Sequence, residues 1–273
     1  MSRLSLIRAS FRDTFSSPRL WLLHFFANAM LFGLASAWLL LPVANAFHLV
    51  VNAAFGVLLL TAVLILHAGT LNYFADRQND ADSSLVPPLR RAARHLAAIA
   101  ACLIVFYGLW LLVDKCETYS DTWPAYIRST LPVSLRRHLT LPALDRLFAA
   151  ILFAARWIFV PALVLPLLFQ SANQGFGGFT FTGISAWIRS ITSSTYWFLL
   201  AVAAIVGVVV TGKVMELTPD FKSSTFPGEL FSFAARLSLA YLLAICAWFL
   251  VCSVVARRAN AVRSAGLARN STA

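Results

Sequence analysis

The stretch AFHLVVNAAFGVLLLTAVLILHAGTLNYF, Ala46–Phe74, decides the class of fold. It contains no Asp, Glu, Lys or Arg. As a helix it would be about 44 Å long, at about 1.5 Å per residue, and a bilayer's hydrocarbon is only about 30 Å thick. Five further stretches are apolar enough to span: 20–43, 88–113, 147–169, 196–215 and 237–256. The third is apolar over Leu96–Val113 and is extended back to 88 because Pro87-Pro88 starts a helix well. Composition agrees. Of 273 residues, 60% are apolar and 12% charged, with a mean hydropathy of +0.77. A soluble domain carries about 25% charged residues. A secreted domain, a cytosolic Rossmann-type enzyme and a disordered tail are excluded. The expectation is an all-α polytopic membrane bundle, one domain over 1–273, with interfacial amphipathic helices and a basic tail at 257–273.

Ala44-Asn45-Ala46 resembles a signal-peptidase site, but the apolar region before it exceeds 20 residues. A signal peptide's apolar core has about 7–15, so the first span is read as retained. The net charge of +11 is a topology signal rather than a nucleic-acid one. Arg3, Arg8, Arg12, Arg19, Arg77, Arg90, Arg91, Arg94, Arg189, Arg257, Arg258, Arg263 and Arg269 fall on one side. Lys115, Arg128, Arg136, Arg137, Arg146, Lys213, Lys222 and Arg236 fall on the other. The bias predicts both termini in the cytoplasm. Arg90, Arg91, Arg257 and Arg258 sit where anionic headgroups lie, each worth about 1 kcal/mol there.

Leu4, Ile7, Phe11 and Phe15 repeat at helical spacing, as do Ile184, Trp187, Ile188 and Ile191. Both read as helices lying in the interface. Pro227 with Glu229 starts a helix that runs into the sixth span. Asn173–Gly178 is glycine-rich, lacks the Lys-Ser/Thr of a phosphate loop, and reads as a flexible turn.

The segment Gly183-Ile-Ser-Ala186-Trp187-Ile-Arg189-Ser190, then Tyr196-Trp197, with Ser17-Pro18-Arg19-Leu20-Trp21 near the start, resembles a broad group of six-helix bacterial membrane proteins. Many of that group are uncharacterised or similar to the membrane domain of glycerophosphodiester phosphodiesterases. The match covers about a fifth of the chain and rests on short motifs. It implies a membrane bundle without a catalytic domain, in a bacterial inner membrane, and carries over no catalytic residue.

Ionisable groups within spans are costly, so they are the candidates for function. His24 and His67 lie on opposed spans at similar depth, with Arg94 and His95 near the same face. Three readings stand: hydrogen bonding to Asn28, Asn72 or a carbonyl; proton or ion handling; and axial haem ligation by His24 and His67. Arg156 is the charge left within a span. It snorkels beside Trp157, satisfies carbonyls freed by Pro161 and Pro166, or contacts an anionic lipid. Lys213 and Glu216 read as a solvated pair, and Asp76, Asp80 and Asp82 as a loop rather than a cation site. Cys102, Cys116, Cys246 and Cys252 show no disulfide or zinc spacing, and no cofactor or metal is expected. The Asn270-Ser-Thr sequon lies at a terminus predicted inside.

No catalytic constellation is visible. The leading expectation is a non-enzymatic accessory or scaffold subunit with membrane-protein partners. The alternatives are a small transporter or permease-like subunit using Arg156 and His24/His67, and, more weakly, a lipid-modifying enzyme.

Overall fold

Each long apolar stretch forms a helix, because a backbone in lipid must satisfy its own polar groups. The computed structural model describes residues 3–42, 44–78, 84–120, 122–217 and 226–270. In order, α1 is Arg3–Phe15, α2 Pro18–Leu39, α3 Ala46–Arg77, α4 Val86–Arg94, α5 Leu96–Glu117, α6 Thr122–Thr130 and α7 Val133–Arg136. Then follow α8 Leu141–Ala154, a π turn Ala155–Phe159, α9 Val160–Gln174, a 3-10 turn Gly175–Phe179 and α10 Phe181–Ile191. Last come α11 Ser194–Ala204, a π turn Ile205–Val210, α12 Thr211–Glu216 and α13 Phe226–Asn270. Six helical stretches are long and apolar enough to cross a membrane, and no strand occurs among the described residues. The chain is a multi-pass, all-α membrane protein. An even number of crossings puts α1 and the C-terminal extension on one face, the terminal face; the other is the far face. Asp80, Asp82, Pro219, Asp220, Lys222 and the sequon's Ser271 and Thr272 lie outside the described residues.

Three span boundaries differ from the sequence reading. The third span does not begin at 88. The chain leaves helical geometry at His95 (φ −104°, ψ 19°), and α4 is a separate amphipathic helix. The fourth stretch begins at Leu141, and the sixth is part of a helix that runs unbroken to Asn270.

In lipid, helices associate where small residues let them approach. Ala92, Ala162, Ala172, Cys252, Ser253 and Ala256 are fully buried. At Gly69 an added Cβ would stand 2.5 Å from Leu89 Cδ2, so this position lets α4 lie on α3. The core gathers at the terminal-face half, around Leu20, Leu71, Phe74, Tyr196, Leu199 and Phe249. Helix α13 is its centre, with 61% of its most apolar window buried, against 6% for α3 and 11% for α2.

The far-face half of the α2–α3 hairpin is different. No described residue from 32 to 65 is buried. The hairpin is stapled only to itself: Trp38 Nε1 donates to Asn52 O at 2.9 Å, and its ring covers Gly56. It leaves the bundle as an arm.

Helix α1 turns a polar face inward. Ser10, Asp13, Thr14 and Ser17 are buried, while Phe11 and Phe15 are exposed. Phe11 and Phe15 of the predicted apolar stripe therefore face outward, while Ile7 packs on the core and its neighbour Leu6 is buried. Asp13 receives Arg257 at 2.5 Å and the Ser253 hydroxyl at 3.1 Å. Arg77 bonds Ser17 Oγ and Tyr73 Oη and reaches Ser16 O at 2.5 Å, fixing the α1–α2 corner to α3.

The carbonyls near Pro166 are met by residues other than Arg156. Pro166 cannot donate to Ala162 O four residues back. Tyr196 Oη donates to that oxygen at 3.0 Å, and Trp187 Nε1 donates to Leu163 O at 2.7 Å. Tyr196→Phe should lower stability by about 1–3 kcal/mol, read as a thermal shift in detergent, because it strands a buried carbonyl. An unchanged melting temperature would show that water or a rearranged helix supplies the bond.

Candidate functional site

The two π turns are offset residues inserted where local chemistry favours them. In the first, Val160 N–H bonds Ala155 O, five residues back, immediately before Pro161. In the second, the Thr211 hydroxyl takes Val206 O at 3.1 Å, also five back, and Gly207 sits at its centre. A cavity of about 420 Å³ lies between α3, α5, α9, α11 and α13, bordered by both turns. Trp157 from the first turn, Pro161 just after it in α9, and Gly207 and Val208 from the second turn form part of its wall. The remainder is aliphatic and aromatic, with no Asp, Glu, Lys, Arg, Ser or Cys among the lining residues. Its polar groups are the His67 imidazole and the Trp157 and Trp248 indoles.

His24 and His67 do meet, with ring centroids 5.5 Å apart. Their roles differ. Thr70 Oγ1 donates to Leu66 O at 2.8 Å, so it accepts from His24 Nε2 at 2.7 Å. Asn28 Nδ2 donates to His24 Nδ1 at 3.3 Å and to Tyr241 Oη at 3.1 Å. Tyr241 Oη donates to His24 O at 2.7 Å. The network assigns the Nε2–H tautomer and uses both His24 nitrogens. It ties α2, α3 and α13 together. With neither nitrogen free, the arrangement does not suit axial haem ligation. No cluster of three metal-ligating side chains occurs among the described residues. Asn72 does not join this network; it donates to Pro88 O at 3.3 Å and Ala172 O at 3.1 Å.

His67 makes no hydrogen bond to a described residue. Its ring stands edge-on to Trp248 at 5.3 Å, and Trp248 Nε1 is buried without a partner among the described residues. Trp248 carries no charge, so the cost of ionisable groups in lipid does not single it out; its position mid-span in an apolar run is the signal it offers.

The other candidates lie elsewhere. His95 packs against Gly175, whose φ of +61° only glycine takes without strain. Arg156 is not an unpaired mid-span charge. It reaches Asp114 at 3.1 Å and Glu117 at 2.5 Å, at the far-face end of α5, and stacks over Trp110. Arg91 is held by Asp76 at 3.0 Å and by Asn173, and Arg257 by Asp13, so neither is free for headgroups. Arg90 and Arg94 are exposed. Arg258 is half-buried and reaches Arg189 O at 3.4 Å. Lys213 and Glu216 pair at 2.6 Å on the surface.

The glycine-rich segment is not a loose turn. Gly175–Phe179 folds as a 3-10 turn, and an added Cβ on Gly183 would stand 2.0 Å from Gly178 O. This hook positions α10 against α9 and α13.

Comparison with family models, curated proteins and solved structures returns no match.

Proposed function

We propose that this chain is a non-enzymatic accessory or scaffold subunit of a membrane-protein complex, in a bacterial inner membrane with both termini cytoplasmic. The observation that carries it is the arm. The hairpin has no buried described residue from 32 to 65, and of this stretch Val63 and Leu64, at its root, line the cavity, with Leu64 packed on the core. It also carries Asn52, whose side-chain amide bonds no described residue. An amide within the bilayer seeks a partner, typically on a neighbouring helix, for about 1–2 kcal/mol. The occupant we assign is therefore a transmembrane helix of another protein that presents a hydrogen-bonding side chain.

The basic residues support the orientation, since Arg8, Arg12, Arg19, Arg90, Arg94 and Arg189 are exposed on helices of the terminal face, where they can contact anionic headgroups. The resemblance around Gly183–Ser190 points the same way, to a bundle without a catalytic domain. The geometry does not favour a solute path, because Arg156 is paired at the far-face end of α5 and the cavity wall carries no charge. A photo-crosslinker at Val50 or Leu58 should capture one and the same membrane protein in native membranes. One at the lipid-facing Ile104 should not. Asn52→Leu should cut the arm's crosslink yield about tenfold. Crosslinks to lipid alone, or a yield indifferent to Asn52→Leu, would overturn the assignment.

A further inference from the structure

We infer that the cavity between α3, α5, α9, α11 and α13 holds one neutral lipid, a hydrocarbon chain bearing a carbonyl oxygen that hydrogen-bonds to His67 beside Trp248. This goes beyond the scaffold reading and does not depend on the arm. The cavity's 420 Å³ lies within the range of small-molecule sites, about 300–1,000 Å³. It is not sealed, and spanning helices flank it, so its entrance is the bilayer. Charge selects the ligand. No lining residue is an Asp, Glu, Lys or Arg, so an anionic or cationic head would be stranded without a counter-charge. The hydrogen-bonding groups select it further. His24, next to His67, is fully bonded, whereas His67 lines the cavity and bonds no described residue. A neutral imidazole offers one N–H donor and one acceptor nitrogen, and an acceptor on the ligand meets that N–H. A carbonyl on an apolar chain is an acceptor that adds no donor needing its own partner.

The two π turns strengthen the assignment. They are inserted in different helices yet both border this cavity, and such turns concentrate at functional sites. Gly207 brings its helix against α13, where a Cβ would stand 2.9 Å from Ala247 Cβ. The space is thus made beside a close helix contact, not left by loose packing.

Two sources share this chemistry, a glyceride ester and an isoprenoid quinone. Full-length protein, extracted in mild detergent, should retain about one neutral lipid per chain by native mass spectrometry. After delipidation it should be titrated with decyl-benzoquinone, with trioctanoylglycerol and with phosphatidylglycerol. One of the first two should raise the melting temperature and bind saturably, which names the source; phosphatidylglycerol should not. Ala204→Trp fills the cavity and should abolish binding. Val208→Trp is the second blocking variant should the first not fold. His67→Leu should weaken binding about tenfold, the loss of one hydrogen bond within the bilayer. The proposal fails if neither neutral probe binds, if a folded blocking variant binds as the native protein does, if phosphatidylglycerol binds equally, or if His67→Leu has no effect.

Discussion

Asp13→Ala should cost about 3–5 kcal/mol, among the largest effects of any single substitution in the protein. Asp13 is 8% exposed and carries three interactions at once. Arg257 meets one carboxylate oxygen with Nε at 2.8 Å and Nη2 at 2.5 Å, and Ser253 donates to the same oxygen. Deleting the carboxylate leaves a guanidinium and a hydroxyl buried between α1 and α13 without an acceptor. The expense comes from the unpaired charge rather than from lost attraction. Hence Asp13→Leu with Arg257→Met should recover most of the loss, because an apolar pair of similar volume needs no partner. Thermal melting in detergent, followed by tryptophan fluorescence, reads both. Limited proteolysis should also cut α1 first in Asp13→Ala. Equal melting of Asp13→Ala and the native protein would mean that α1 does not dock through this pair.

Gly183→Ala should be the second large loss, and Gly108→Ala its contrast. At Gly183 the new Cβ would collide with Gly178 O at 2.0 Å and Gln170 Oε1 at 2.7 Å. The first is backbone, so the hook must open rather than a side chain rotate. Gln170 is 7% exposed, which leaves it no room to retreat. Opening the hook undocks α10, withdraws Trp187 from Leu163 O and exposes the base of α9. A loss of about 3 kcal/mol or more is expected for strain of this kind. At Gly108 nothing lies within 4 Å of the added carbon, so Gly108→Ala should be neutral or stabilise by up to about 1 kcal/mol through helix propensity. Side-by-side melting curves test the pair. Matching shifts for the two variants would show that propensity, not contact, governs position 183.

The spans and interfacial helices were legible because hydrophobic run length and spacing are properties of consecutive residues. The meeting of His24 and His67 was legible for the same reason, since antiparallel spans of known length fix depth. Partners distant in sequence were not. Nothing local to Arg156 announces Asp114 and Glu117, about 40 positions earlier, and nothing local to Arg257 announces Asp13. Taken with their chain neighbours alone, both arginines read as charges facing lipid or headgroups, because their acids belong to other helices. The exposed Phe11 and Phe15 of α1 fit the expected interfacial helix, but its opposite, inward face was not legible, because Ser10, Asp13 and Thr14 are buried there against partners distant in sequence. The cavity was invisible because its walls come from five helices and two π turns, whose local signals are a proline at 161 and a glycine within a β-branched run at 207. The same signals also occur in ordinary spans.

The unbroken α13 has a mechanical consequence. Its 45 residues form a rod of about 68 Å with no proline or π turn after its first turn to absorb bending. The α8–α9 and α11–α12 stretches each carry a π turn, at the level of the void they enclose. A helix yields most readily where its ladder is already out of phase. The bundle is therefore stiff along one pillar and compliant along two walls. Any swelling on entry of a guest is taken up by those walls. The pillar has no such joint anywhere between the far face and the helical extension beyond the terminal face.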